Sequence, residues 1–106
     1  MNKKTIILQD LKVKLGDLLG KELVNIYLFG SQANNTENPD SDYDILILLK
    51  TKNDWKTKDK VIDICYDVDL KHDILIDAHI LAEEELTSLR GKQPIYLNAI
   101  QNGIIA

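Results

Sequence analysis

Residues 43–49, YDILILL, are apolar at every position but one, and that exception, Asp44, lies at the start of the run. A strand with one wet face shows polar residues at alternate positions, whereas a continuous apolar run fits a strand covered on both faces. YDILILL therefore reads as the central strand of a sheet with helices packed on it. The aspartates at its mouth, Asp42 and Asp44, conflict with that setting, because burying a carboxylate is costly unless something compensates it.

The rest of the chain supplies the elements that such a strand needs. Ile7, Leu8, Leu11, Leu15, Leu18 and Leu19 recur at helical spacing, and Gly20 provides a stop. LVNIYLF, residues 23–29, reads as a strand, and Ser31 to about Asn35 as one short helical turn before a loop marked by Asn-Pro and Asp-Ser. Asn53 or Asp54 can cap a helix running to about Leu70, with Trp55, Ile62, Cys65 and Val68 facing inward. DILIDAHIL, residues 73–81, reads as a third strand. Ala82–Arg90 and Pro94–Asn102 read as two closing helices, the latter with Pro94 at its start and Gly103 just past its end.

The expected order is α-β-α-β-α-β-α-α, an α/β (α+β) domain with helices covering a three-stranded mixed sheet. The first two strands run antiparallel if Gly30 and Asp42 are to act together, and the helical crossover permits a parallel second pair. With 106 residues, the chain has room for one core, so residues 1–106 are expected to form a single domain.

Net charge is −4, from 17 acidic and 13 basic residues, and the bases form no run longer than Lys3-Lys4. Proteins that hold long nucleic acid carry a basic stripe, so none is expected as a partner. No apolar run approaches the ~20 residues of a membrane span, and the charged start does not read as a signal peptide. Cys65 is the only cysteine, which excludes an intrachain disulfide and fits a cytoplasmic setting.

With twelve aspartates, a lone D-x-D carries little weight, and three are present: Asp40/Asp42, Asp42/Asp44 and Asp67/Asp69. Asp67 and Asp69 fall near the end of a helix, where i and i+2 diverge. Asp40 follows Pro39 in a turn context. Only Asp42 and Asp44 lead into a strand, where i and i+2 share a face about 6.6 Å apart. On the third strand, the same alternation places Asp73, Leu75, Asp77 and His79 on one face, with Asp77 in mid-strand. Asp77 beside Asp42 and Asp44 would complete an oxygen-ligand site for Mg²⁺. Two such ions roughly 3.5–4 Å apart can clamp an in-line phosphoryl displacement, and Asp77 could also take the attacking hydroxyl's proton. Gly30 lets backbone approach a phosphate closely, and Ser31 adds a donor. Each piece alone has an ordinary explanation as a turn or a wet edge. Their order and shared phase favour a triphosphate site.

GSQANNTENPDSDYD fits the pattern GS-x10-DxD, with an apolar strand after it and a lone aspartate in the next strand. This resembles the nucleotidyltransferase superfamily that includes DNA polymerase beta. More narrowly, it resembles the minimal nucleotidyltransferase (MNT) domains found as antitoxins paired with all-helical HEPN toxins. The ending AEEELTSLRGKQPIYLNAIQNGIIA also matches their closing helices, so the resemblance spans nearly the whole chain. It implies the nucleotidyltransferase fold, Gly30 and Ser31 at the triphosphate, Asp42, Asp44 and Asp77 as metal ligands, and Asp77 as base. It further implies transfer of AMP from ATP, or of another NTP's monophosphate, to a hydroxyl of a partner, within a homo- or hetero-oligomer. Many relatives have Arg after Gly-Ser, where this chain has Gln32, which brings no positive charge to a phosphate. Two other readings compete: an antitoxin of the same fold that blocks its toxin by contact alone, and adenylylation of a small molecule.

Several residues are given structural roles. His79 reads as a polar surface residue, His72 as a favourable cation at a helix end, and Cys65 as core. Trp55 and Tyr66 read as packing residues rather than base-stacking ones. Tyr43 points to the face opposite Asp42 and Asp44, and Tyr27 has no assigned role.

Overall fold

The computed structural model describes residues 3–30, 42–51, 54–86, 88 and 93–106. Helix α1 (Lys3–Leu19) buries Ile7, Leu8, Leu11 and Leu15 and ends in a 3₁₀ turn, Gly20–Glu22. Strand β1 (Leu23–Phe29) follows, and strand β2 (Tyr43–Leu49) pairs with it antiparallel. Helix α2 (Trp55–His72) is capped by Asp54, whose side chain accepts a hydrogen bond from the Thr57 amide. Strand β3 (Ile76–Ala82) then pairs with β2 in parallel, as the helical crossover permits. Helix α3 (Pro94–Asn102) and a two-residue strand β4 (Ile104–Ile105) close the described chain.

The sheet order is β3-β2-β1-β4, so β2 is interior and the mixed α/β architecture is the one expected. The sheet has four strands rather than three. β4 pairs antiparallel with Tyr27 and Leu28 of β1, and Gly103 makes the approach possible: a Cβ there would lie 2.9 Å from the Leu28 carbonyl oxygen.

Every β2 side chain except Asp44 is buried. On one face, Ile26, Leu28, Ile45, Ile47 and Leu49 pack against Ile7, Leu11 and Leu15 of α1 and Val61, Cys65 and Val68 of α2. Complete burial of Ile45 and Ile47 contributes on the order of 2 kcal/mol each. The second face carries Tyr27, Phe29, Leu46, Leu48 and Leu81 under Tyr96 and Ala99 of α3.

Three local expectations are corrected. α2 turns Val61, Cys65 and Val68 inward, leaving Trp55 68% and Ile62 46% exposed, and Tyr66 is also exposed. The third strand begins at Ile76 because Asp73 takes a left-handed conformation (φ 54°) and Asp69 Oδ1 accepts the Ile76 amide. Within 82–90, the described residues form a 3₁₀ turn, Glu83–Glu85, held by Glu85 Oε1 accepting the Ala82 amide at 3.1 Å. The turn expected over Ser31 to Asn35 lies outside the described residues, as do Asp40 and Asn53. No described helix is long and apolar enough to cross a membrane.

Candidate active site

The parallel register of β2 and β3 sets Asp44 directly beside Asp77, and Leu46 beside His79. Period-two alternation turns Asp44, Asp77 and His79 to the face that carries α3, with His79 bordering the apolar cluster on that face. One ligand atom from each of these three residues lies within 4.8 Å of the others. The β1 end completes the site. Phe29 is the cross-strand partner of Asp44, and Gly30 follows with φ 75°. A Cβ on Gly30 would run into the Asp44 carboxylate, so glycine is required both by conformation and by space.

Asp44 is half-buried, and its pKa is raised above the usual carboxylate value. Burial contributes most, followed by the negative charge of Asp77; His79 opposes the shift, and Asp42 adds to it. Two carboxylates on adjacent strands with too little positive charge between them form a natural position for a divalent cation. The fit is with the donor chemistry itself: hard oxygen ligands, and a glycine cradle that keeps the approach to Asp44 open.

His79 holds the least expected place. Its ring lies 5.5 Å from that of Phe29 and 6.0 Å from that of Tyr96. Nε2 is buried, makes no hydrogen bond, and lies 3.4 Å from Asp77 Oδ2. The structure thus sets Asp44 and Asp77 together, with Gly30 against them, and adds His79. Asp42 is exposed at the mouth of β2 and stands outside the trio, though its charge reaches Asp44. Ser31 and Gln32 lie outside the described residues. The signal for His79 was its strand phase, shared with Asp77, but its aromatic neighbours come from β1 and α3 and cannot be read locally. Tyr43 is buried on the opposite face, as expected. Trp55 and Tyr66 sit on α2, across the sheet from the carboxylates, and so make no base-stacking platform at this site.

A family model described as "Nucleotidyltransferase domain" matches residues 8–100. The chain belongs to the nucleotidyltransferase family. A curated relative from Methanocaldococcus jannaschii, named "Putative protein adenylyltransferase", is 37% identical to this nucleotidyltransferase over 82 residues, covering 77% of this chain and 83% of its own. Among solved structures, a toxin–antitoxin crystallised with AMP-PNP superposes with a TM-score of 0.56 at 21% identity, over 92% of this chain and 70% of that one. Spectinomycin adenyltransferase from Enterococcus faecialis, solved with ATP and spectinomycin, gives a TM-score of 0.61 at 22% identity. That match covers 79% of this chain but only 36% of the other. At these identities, the structural likenesses show the fold that the sheet order had already indicated.

Proposed function

We propose that this nucleotidyltransferase moves AMP from ATP to a hydroxyl of a partner protein, as the antitoxin of a HEPN-type toxin. The observation that carries the reading is the pairing of Asp44 with Asp77 across β2 and β3, with Gly30 packed against Asp44. The curated relative's name supports a protein acceptor. The toxin–antitoxin neighbour with AMP-PNP supports a protein partner and an adenine nucleotide.

Asp44 and Asp77, joined by Asp42, are the residues to hold Mg²⁺, as one ion or two. When bound, Mg²⁺ offsets the charge of the phosphate oxygens and of the leaving pyrophosphate. Such a cation opposes the burial and the Asp77 charge that raise the Asp44 pKa, and so favours its ionised form. The Asp77 side chain is 55% exposed, open to an acceptor hydroxyl. In the transfer, the acceptor oxygen forms a bond to the α-phosphorus while the bond from that phosphorus to the bridging oxygen breaks. Pyrophosphate leaves, and the hydroxyl proton passes to the Asp77 carboxylate. Gly30, without a side chain, leaves room for the phosphates beside Asp44, and Ser31 adds a donor next to it. The site is open on the Asp77 side, where the partner is expected to complete it.

The test incubates the full chain with Mg²⁺, the product of the neighbouring gene, and ATP labelled in either the α- or the γ-phosphate. Label from the α position, and none from the γ position, should appear on the partner. Transfer of γ-label, or unchanged α-labelling by both Asp44→Asn and Asp77→Asn, would refute the proposal.

A further inference from the structure

We propose that His79 Nε2 is an additional ligand at the cation position shared by Asp44 and Asp77, and that its nitrogen biases this position toward Mn²⁺ over Mg²⁺. The inference rests on the reading of those two carboxylates as a cation site and specifies the class of ion it takes.

Buried polar atoms are nearly always paired, yet Nε2 of His79 is buried with no hydrogen bond. One ring nitrogen of His79 lies within 4.8 Å of carboxylate oxygens from both aspartates, and Nε2 is the nitrogen that faces Asp77. Adjacent ligands on an octahedron with bonds of ~2.1 Å stand about 3 Å apart. The 3.4 Å between Nε2 and Asp77 Oδ2 is close to that spacing, and Asp77 and His79 share a strand face, so both can serve one ion. The ring is wedged near Phe29 and Tyr96, which limits its freedom and presents the nitrogen ready-oriented.

Ligand chemistry then sets the preference. Mg²⁺ takes oxygen ligands almost exclusively, whereas imidazole nitrogen favours first-row transition ions. Among these, Mn²⁺ also accepts carboxylate and water, so a site of two carboxylates and one imidazole suits it. A simple Asp77–His79 ion pair is the competing account, and it assigns no role in ion choice to the imidazole.

The experiment titrates MnCl₂ alone and MgCl₂ alone into the full chain by calorimetry, and records pulsed EPR spectra of the bound Mn²⁺. The wild type is expected to bind Mn²⁺ at least about tenfold more tightly than Mg²⁺, with a ¹⁴N coupling from a directly bound imidazole. His79→Phe keeps an aromatic ring against Phe29 and Tyr96 but removes the donor. It should abolish the coupling and most of the tenfold margin while leaving Mg²⁺ binding nearly unchanged. Bound Mn²⁺ without ¹⁴N coupling in the wild type would overturn the inference even if the variant failed to fold, as would an undiminished margin in His79→Phe. Asp44→Asn separates the two levels. If it lowers binding of both ions while His79→Phe alters neither, the carboxylate site stands and the role of His79 falls. If the wild type binds neither ion, or Asp44→Asn binds both as well as the wild type, the site reading fails and this inference with it.

Discussion

Among the described residues, two aspartate–histidine pairs lie on opposite faces of the sheet, with opposite electrostatics. Between α1 and α2, Asp10 meets His72 Nε2 at 2.9 Å, with Lys71 at 3.3 Å and Lys14 at 3.8 Å. Burial pushes the Asp10 pKa up, but the hydrogen bonds to His72 and Lys71, with the nearby lysine charges, hold it below the usual value. On the other face, Asp44 meets Asp77 and His79; burial raises its pKa, and Asp77 raises it further. The first carboxylate has cations to spare and fastens two helices. The second is short of positive charge, a state that a fold tolerates at a site that binds a cation or does chemistry. Aspartate beside histidine thus has no fixed meaning, and the balance of charge around the pair decides its role.

The contrast can be broken most forcefully by removing the proposed base. Asp77→Asn should lower nucleotidyl transfer about 10²–10⁴-fold, the usual contribution of a positioned proton acceptor. It should leave the metal-free melting temperature unchanged or higher, because one of two crowded charges is gone. Loss of transfer through loss of folding, visible as a lowered melting temperature, would place Asp77 with Asp10 as a structural residue.

Gly30→Ala comes next. The left-handed backbone at φ 75° costs a non-glycine residue about 1–2 kcal/mol, and the new Cβ displaces the Asp44 carboxylate. Stability and transfer should therefore fall together, measured by denaturant melts and by labelling. A variant that loses stability by this amount yet transfers at the wild-type rate would detach Gly30 from the site.

The smallest of these effects belongs to the structural pair. Asp10→Asn should destabilise by ~1 kcal/mol at neutral pH, as expected for a charge-assisted bond at a partly buried site. The sign with pH follows from its lowered pKa. The ionised Asp10 stabilises the fold above the unfolded value near 3.8, and that contribution is lost as pH falls through the lower folded value. Urea melts between pH 2 and 7 should show the wild type and Asp10→Asn converging at the acid end. Asp44 has the opposite sign: with its pKa raised, its contribution improves as pH falls from neutral through the folded value.

Much of this was legible in the chain. The runs LVNIYLF and YDILILL became β1 and β2 with the expected ends, because seven-residue runs with a single polar interruption each, between polar stretches, have strand length. Strand phase placed Asp44 and Asp77 on one face, though not their register, which the β2–β3 pairing sets. β4 was not legible, since two isoleucines form a strand only by finding the edge of β1. The inward face of α2 was misjudged because Val61 and Ile62 both continue an apolar stripe through Cys65, and only packing on Ile45 and Ile47 selects Val61. His79 was undervalued for a related reason: the residues that bury it, Phe29 and Tyr96, lie about 50 residues before it and 17 after it in sequence.

The central claim is that Asp44 is held for a cation rather than for the fold, and thermal melts of the wild type and Asp44→Asn, each with and without Mg²⁺, test it most directly. Without metal, Asp44→Asn should melt at or above the wild-type temperature, because an ionised carboxylate with a raised pKa costs stability at neutral pH. Mg²⁺ should raise the wild-type melting temperature by linkage, and that rise should shrink or vanish in the variant. An Asp44→Asn protein that melts well below the wild type, with its response to Mg²⁺ intact, would contradict the account and make Asp44 a structural acceptor like Asp10.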